Sequence, residues 1–364
     1  MRIGVNALYL LPGQVGGTEI YLRNLLPALS RVDNGNDYFV YVNRETGADL
    51  VPPGFAVRPQ GVNAVSRPAR IAFEQAILPL AAARDGLDVL FNPGFTAPLL
   101  CSCPCVTVFH DLQHKRHPEH FRWWDLPFWR ALLFQSACSS QALIADSEAT
   151  RADLLRYYPL SPARVHTVDL GVDERFFGLP RRPQPYLLCV STLHPHKNLD
   201  RLIRAFAVLR KQRPDYRLVI AGMRGFFGGR LESLIGSLGL TNDVDLTGWI
   251  PRERLYELYS GASAFVYPST FEGFGLPVVE AMAAGIPTAC SAIEPLVSVA
   301  GGATLLFPPQ EEAAIAASLS RLVSDQGVRD RLATEGPRRA RRFSWRAAAV
   351  STLQVLREAV VAGR

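Results

Sequence analysis

The feature that most restricts this chain is an alternation, repeated in two halves, of short apolar runs with longer stretches whose apolar residues recur at helical spacing. In the first half Ile3 to Asn6, Tyr38 to Val42, Val89 to Phe91, Val106 to Phe109 and Ala142 to Ala145 read as buried strands. Thr18 to Leu29 and Ile71 to Ala83 read as helices between them. Strand–helix units in series predict a parallel sheet, one Rossmann-like half.

Gly178-Leu-Pro-Arg-Arg-Pro-Gln-Pro185 breaks both periodicities and marks the natural boundary. Beyond it Tyr186 to Val190, Leu218 to Ala221, Val244 to Thr247 and Ala264 to Tyr267 read as strands, and Leu199, Leu202, Ile203, Phe206 and Leu209 mark one helix face. The fold class expected is therefore α/β, with domains at 1–178 and 186–342, a linker at 179–185, and a final helix within 343–364. A chain of 364 residues is comfortable for two such domains. Open parallel sheets bind ligands at the carboxyl ends of their strands, so two of them predict one shared cleft.

Ser269-Thr-Phe-Glu-Gly-Phe-Gly-Leu-Pro-Val-Val-Glu280 sets Glu272 and Glu280 on either side of a glycine-rich turn that opens a helix. Pro277 suits the first helical turn, where its missing N–H costs nothing, and Gly285 and Pro287 stop the helix. Unpaired N–H groups at a helix start, approached closely through Gly273 and Gly275, suit phosphate, and the carboxylates suit sugar hydroxyls. The bland alternative is Glu280 complementing the helix dipole and Glu272 capping a turn.

The longer string from Tyr267-Pro-Ser-Thr-Phe-Glu-Gly-Phe-Gly-Leu-Pro through Glu280-Ala-Met-Ala-Ala-Gly-Ile-Pro resembles, without a gap, the Glu-x7-Glu region of retaining family-four glycosyltransferases. The resemblance implies the GT-B fold, with two Rossmann-like domains facing an interdomain cleft and a C-terminal helix, Trp345 to Val361, crossing back to the first domain. It implies a hexosyltransferase that takes a nucleoside diphosphate sugar as donor and a saccharide or lipid-linked hydroxyl as acceptor, with no cofactor and no bound metal. Phe91-Asn-Pro-Gly-Phe95, His110-Asp111-Leu112 and His196-Lys197-Asn198-Leu199 are similar to bacterial mannosyltransferases of polysaccharide assembly, so GDP-mannose is the preferred donor. A UDP-sugar donor, a nucleotide-sugar epimerase of the same fold and a non-catalytic nucleotide-sugar binder are the alternatives.

Carried residue by residue, the resemblance gives Lys197, beside the N-cap candidate Asn198, the donor diphosphate. Glu272 receives the sugar hydroxyls, Glu280 the ribose, and His110, after the strand Val106 to Phe109, the transferred sugar. Gly16 and Gly17, in the glycine loop Leu11 to Glu19, and Gly273, Phe274, Gly275 and Leu276 bring main chain to the phosphates or the sugar. Gly248, Trp249 and Ile250 border the base. The family's loop arginine is replaced by Thr192 or its neighbour Ser191, and Arg224, beside Gly222, is the candidate to restore that charge. Taken alone, each has an ordinary reading: a solvated lysine, a satisfied structural histidine, a simple turn.

Lys plus Arg exceed Asp plus Glu by 39 to 33, giving +6, which favours anionic partners such as nucleotide sugars, lipid phosphates or acidic membrane. Scattered arginines without a zinc-finger or ribonucleoprotein pattern argue against nucleic acid. The amino terminus reads as a first strand rather than a signal peptide, and no apolar run reaches spanning length, so the expected location is cytoplasmic, with peripheral association at the inner membrane face. His110, His114, His117 and His120 do not read as a metal site because Pro118 breaks the helix that spacing would need, and Cys101-Ser-Cys-Pro-Cys105 lacks zinc spacing and reads as free thiols. Asp243 and Asp245 match an Asp-x-Asp string at a strand entrance by chance placement. Trp123 to Phe134, with three tryptophans and two phenylalanines near Arg122 and Arg130, reads first as a buried helix face and second as a contact for a lipid-linked acceptor or a membrane interface.

Overall fold

A computed structural model of the chain describes residues 1–13, 16–225 and 227–363. Gln14 and Val15 of the first glycine loop, Phe226 after Arg224, and Arg364 lie outside the described residues. The chain forms two compact units, Met1–Gly171 together with Ser344–Arg364, and Val172–Phe343.

The first unit is built on β1 (Arg2–Asn6), β2 (Asp37–Val42), β3 (Ala56–Pro59), β4 (Val89–Asn92), β5 (Cys105–Phe109), β6 (Ala142–Ala145) and β7 (Val165–Thr167). They pair in parallel in the order β3-β2-β1-β4-β5-β6-β7, so the winding reverses between β1 and β4. Strands β4, β5 and β6 are buried throughout, which is why they read as apolar runs, with only Asn92 at the end of β4 and Thr107 within β5 as polar residues. The sequence reading passes over β3 and β7, the edge strands, which span only four and three residues.

Helix Gly17–Val32 buries Tyr21, Leu22, Leu25, Leu26 and Leu29, and the C-terminal helix Trp345–Ala362 packs on it and on β4, β5 and β6. Ser344 caps that last helix by accepting from Ala347 N at 3.1 Å. Two expectations change here. The periodicity over Ile71 to Ala83 belongs to two helices, Arg67–Ala76 and Leu78–Arg84, because Pro79 has no N–H to continue the first ladder and its ring collides with the carbonyl one turn back. Nor is Trp123 to Phe134 a buried face: Trp123 and Trp124 precede helix Leu126–Ser139 and are exposed, and that helix buries Leu132, Leu133, Ser136 and Ala137.

The second unit holds β8 (Gln184–Val190), β9 (Arg217–Ala221), β10 (Val244–Gly248), β11 (Ala262–Tyr267), β12 (Thr288–Ser291) and β13 (Leu305–Phe307). All pair in parallel in the order β10-β9-β8-β11-β12-β13, reversing between β8 and β11. Helix Leu199–Gln212 buries the five residues whose spacing announced it. The expected boundary at 179–185 moves to 171/172. Residues before the proline-rich stretch already belong to the second unit: Phe176 meets the Tyr256 and Tyr259 rings edge-on at 5.1 and 5.0 Å. Within the expected linker, Arg181 Nη1 donates to Ser260 O at 3.0 Å. Among the described residues no helix is long and apolar enough to cross a membrane.

Candidate active site

In a doubly wound sheet the loops leaving the two strands at the reversal splay apart and form a crevice. In the second unit those loops are Ser191 to Asn198 after β8 and Pro268 to Gly275 after β11, and they are laced together. Thr270 N and Oγ1 donate to His196 O at 2.7 and 3.0 Å. Asn198 Nδ2 donates to Pro268 O at 3.0 Å and to Pro309 O at 2.7 Å. Asn198 stands at the start of helix Leu199–Gln212, but its side chain ties the loops instead of capping the helix, and its φ of 56° is a left-handed conformation asparagine tolerates.

On that floor Lys197 Nζ donates to Glu272 Oε1 at 2.7 Å and to Tyr267 OH at 3.1 Å. Both side chains of the ion pair are largely buried, at 15% and 9% exposure, so the charges are fixed in place. Burial, then the Glu272 carboxylate, holds the Tyr267 phenol well above its ordinary range, and Tyr267 stays a neutral hydroxyl.

Gly275 begins helix Leu276–Ala283 with φ 96°, and a Cβ there would collide with Leu296 Cδ2, so only glycine fits. Gly273 and Leu276 lie partly exposed at this turn. The Phe274 side chain instead turns inward and meets Phe343 edge-on at 5.5 Å. Glu280, fifth in the helix and buried, accepts from Tyr259 OH at 2.9 Å. Burial pushes its carboxyl up to about 7 against the pull of Arg252 and Tyr259. Arg252 is anchored to Asp173 Oδ2 at 3.1 Å and to Tyr256 OH at 2.8 Å.

Gly222 follows β9 in close contact with the β8 loop: its N donates to Gly248 O at 3.1 Å, and a Cβ on it would collide with Ser191 O and stand 3.1 Å from Thr192 N. Thr192 O accepts from His194 N at 2.8 Å. Gly248, at φ 69°, sits where the β9–β10 register shifts, leaving Trp249 exposed and Ile250 half-buried. Arg224 is 64% exposed and pairs with Glu232 at 2.7 Å on the surface. Asp243 is engaged by Arg210 at 2.8 Å.

In the first unit Gly16, at φ 61°, precedes helix Gly17–Val32, and its carbonyl accepts from Glu19 N and Ile20 N at 3.1 and 3.2 Å. His110 lies after β5 with Nδ1 2.6 Å from Asp146 Oδ2 and Nε2 2.8 Å from Pro93 O. Both partners are acceptors, and only the imidazolium donates from both nitrogens. Burial alone would lower the His110 pKa, but the charge and hydrogen bond of Asp146, with the Pro93 carbonyl, raise it above the ordinary value. Tyr21 and Phe95 stand edge-on to the ring at 5.0 and 5.1 Å.

The four histidines do not form one cluster: His114 is buried against Tyr158 OH at 2.8 Å, whereas His117 Nδ1 lies 2.9 Å from Glu119 Oε1 and its ring stacks on His120 at 5.2 Å. His117, Glu119 and His120 thereby bring their ligand atoms within 4.8 Å of one another, a grouping that could hold a metal ion. All six cysteines are free thiols.

Sequence reasoning gave Tyr267 no role although it opens the quoted string, and it missed Tyr259, Arg252, Asp173 and Asp146, which act on the expected residues or on one another from other segments. It also missed a buried polar cluster at the β1/β4 reversal. There Asn6 Nδ2 donates to Asn92 Oδ1 and to Glu74 Oε2, each at 3.1 Å, and Thr96 Oγ1 donates to Glu74 Oε2 at 2.9 Å. The signal available was a polar residue, Asn6 or Asn92, closing an otherwise apolar buried strand.

Residues 15–176 match the family model described as Glycosyltransferase Family 4, and residues 173–339 the one described as Glycosyl transferases group 1. O-antigen chain mannosyltransferase B of Escherichia coli is 30% identical over 288 residues, which span 75% of this chain and 75% of that protein. An MMP alpha-(1->4)-mannosyltransferase of Mycolicibacterium hassiacum is 32% identical over 302 residues, 77% of this chain and 73% of that one. The sucrose-phosphate synthase of Thermosynechococcus elongatus superposes with a TM-score of 0.80 at 20% identity, each chain covered in full, a likeness in fold. Two Rossmann-like units with GT-B structural neighbours, both family models and these relatives lead to one assignment: the chain is a glycosyltransferase and belongs to family 4.

Proposed function

We propose that the protein is a retaining mannosyltransferase that moves mannose from GDP-mannose to a hydroxyl acceptor in polysaccharide or glycolipid assembly. The observation that carries this reading is the Lys197–Glu272 pair at the β8/β11 reversal, beside a helix that starts at a left-handed glycine. A buried cation and the N–H groups of a helix start suit a diphosphate leaving group, whose charge grows as the glycosidic bond breaks, and fixed dipoles stabilise such charge without reorganising. Glu272, held by Lys197, presents its remaining lone pairs to sugar hydroxyls. Glu280, held by Tyr259, takes the ribose. Lys197 and main chain carry the charge compensation, so the reaction runs without a bound metal. The preference for mannose follows the names of the two relatives described above.

The test is a panel of GDP-, UDP-, ADP- and dTDP-sugars with and without acceptor, with NMR assignment of the anomeric configuration of the product. The expected result is transfer of mannose from GDP-mannose with retention, abolished in Glu272→Ala while the melting temperature holds. Transfer from a UDP-sugar alone refutes the donor, an inverted product refutes the stereochemistry, and full turnover by Glu272→Ala refutes the site.

A further inference from the structure

The most exposed aromatic residues of the first unit gather on one face that the donor chemistry does not use. Trp123 and Trp124 are 79% and 57% exposed and Phe128 is 54% exposed, all within one turn of the start of helix Leu126–Ser139. Rings of this size left in water are costly unless they serve a contact. Arg122 lies over the Trp124 ring at 5.7 Å, and Arg67 of helix Arg67–Ala76 lies over Trp129 at 4.7 Å. Arg67, Pro68, Ile71, Asp125, Phe128 and Trp129 line a hollow of about 250 Å³ between the two helices. The face continues into the loop after β4: Ala97 O accepts from Gln75 Nε2 at 2.9 Å and from Gln135 Nε2 at 3.3 Å, which sets the exposed Leu99 and Leu100 beside the same helices.

We propose that this face is a docking surface for an anionic lipid bilayer, with Trp123, Trp124 and Phe128 entering the headgroup layer and Arg67 and Arg122 meeting lipid phosphates. Indole rings, an apolar body with a polar N–H edge, favour the boundary between water and hydrocarbon, and arginines beside them supply attraction to anionic headgroups. Charge complementarity decides the occupant. Among the described residues Asp125 is the one carboxylate lining the hollow, against Arg67 and Arg122, so a second copy docked face to face would set net positive charge against net positive charge, whereas an anionic membrane attracts both arginines. The face lies outside the donor loops, and the proposal does not depend on which sugar is transferred.

The experiment floats the full chain with phosphatidylcholine vesicles and with the same vesicles containing phosphatidylglycerol. The expected result is binding to the phosphatidylglycerol vesicles alone, weakened at high salt. Trp123→Ser with Trp124→Ser should lower partitioning on the order of tenfold, and Arg122→Gln by about fivefold, with unchanged melting temperatures. Equal binding to neutral vesicles, no binding to either, or binding indifferent to the tryptophan pair each overturns the proposal. So does a dimer in light scattering that the tryptophan variant dissolves, since a second copy would then cover the face.

Discussion

Replacing Glu280 by glutamine separates burial of a titrating carboxyl from the shape it fills. Burial raises the Glu280 carboxyl from 4.5 to about 7, with Arg252 and Tyr259 opposing, so the folded chain holds this proton more tightly than the unfolded chain does. The sign follows: the contribution to stability is complete below about pH 4.5 and is lost as pH rises through about 7. At ~1.4 kcal/mol per tenfold, the gap amounts to about 3 kcal/mol, of which about 2.5 kcal/mol is lost between about pH 5 and about pH 8. Glutamine fills the same volume, keeps an oxygen to accept from Tyr259 and does not titrate. For a unit of this size, roughly 2–4 °C per kcal/mol, the Glu280→Gln melting temperature should gain roughly 5–10 °C on wild type between those pH values. Scanning calorimetry of both proteins at both pH values makes the comparison, and every other titrating group cancels in the difference. A variant-minus-wild-type gap identical at the two pH values would refute the reasoning, since the carboxyl would then ionise as it does in water.

Asp146→Asn should lower the His110 pKa, because burial would then be opposed only by the Pro93 carbonyl and the Asp111 charge; an NMR titration of the ring that shows no change would remove Asp146 from its positioning role. Gly222→Ala drives a Cβ into Ser191 O and should cost ~3 kcal/mol or more, read as a lower melting temperature, and an unchanged melt would mean the β8 loop yields freely.

The buried strands were legible because a strand covered on both faces needs apolar residues at nearly every position: β6 obeys this throughout, β4 and β5 with one polar residue each, Asn92 and Thr107, and β8 over its buried stretch from Leu187 to Cys189. Strand β12 escaped notice for the opposite reason, since Thr288-Ala-Cys-Ser291 is short and rich in small or polar side chains and its burial comes from neighbours that only the fold supplies, and β13 because three apolar residues, Leu305 to Phe307, are too few to show a period. The Glu272 turn was legible from glycine and proline chemistry local to the chain. The partners that hold the site were not, since Lys197 and Glu272 stand 75 positions apart and His110 and Asp146 36 apart, and no period in the sequence encodes such pairs. The misplaced boundary has the same origin. Prolines announce irregular backbone, and Arg181 uses that backbone to clasp the second unit.

Because Trp345–Ala362 completes the first unit, the second is an insertion: a continuous segment that leaves its host after Gly171 and returns at Ser344, with Val172 N and Phe343 O joined at 3.1 Å where the two crossings meet. During synthesis the inserted body can finish while its host still waits for Trp345–Ala362 to leave the ribosome. Until then Tyr21 and its neighbours on Gly17–Val32 lack their cover, so deleting Trp345–Ala362 strips a wall from a helix made well before it.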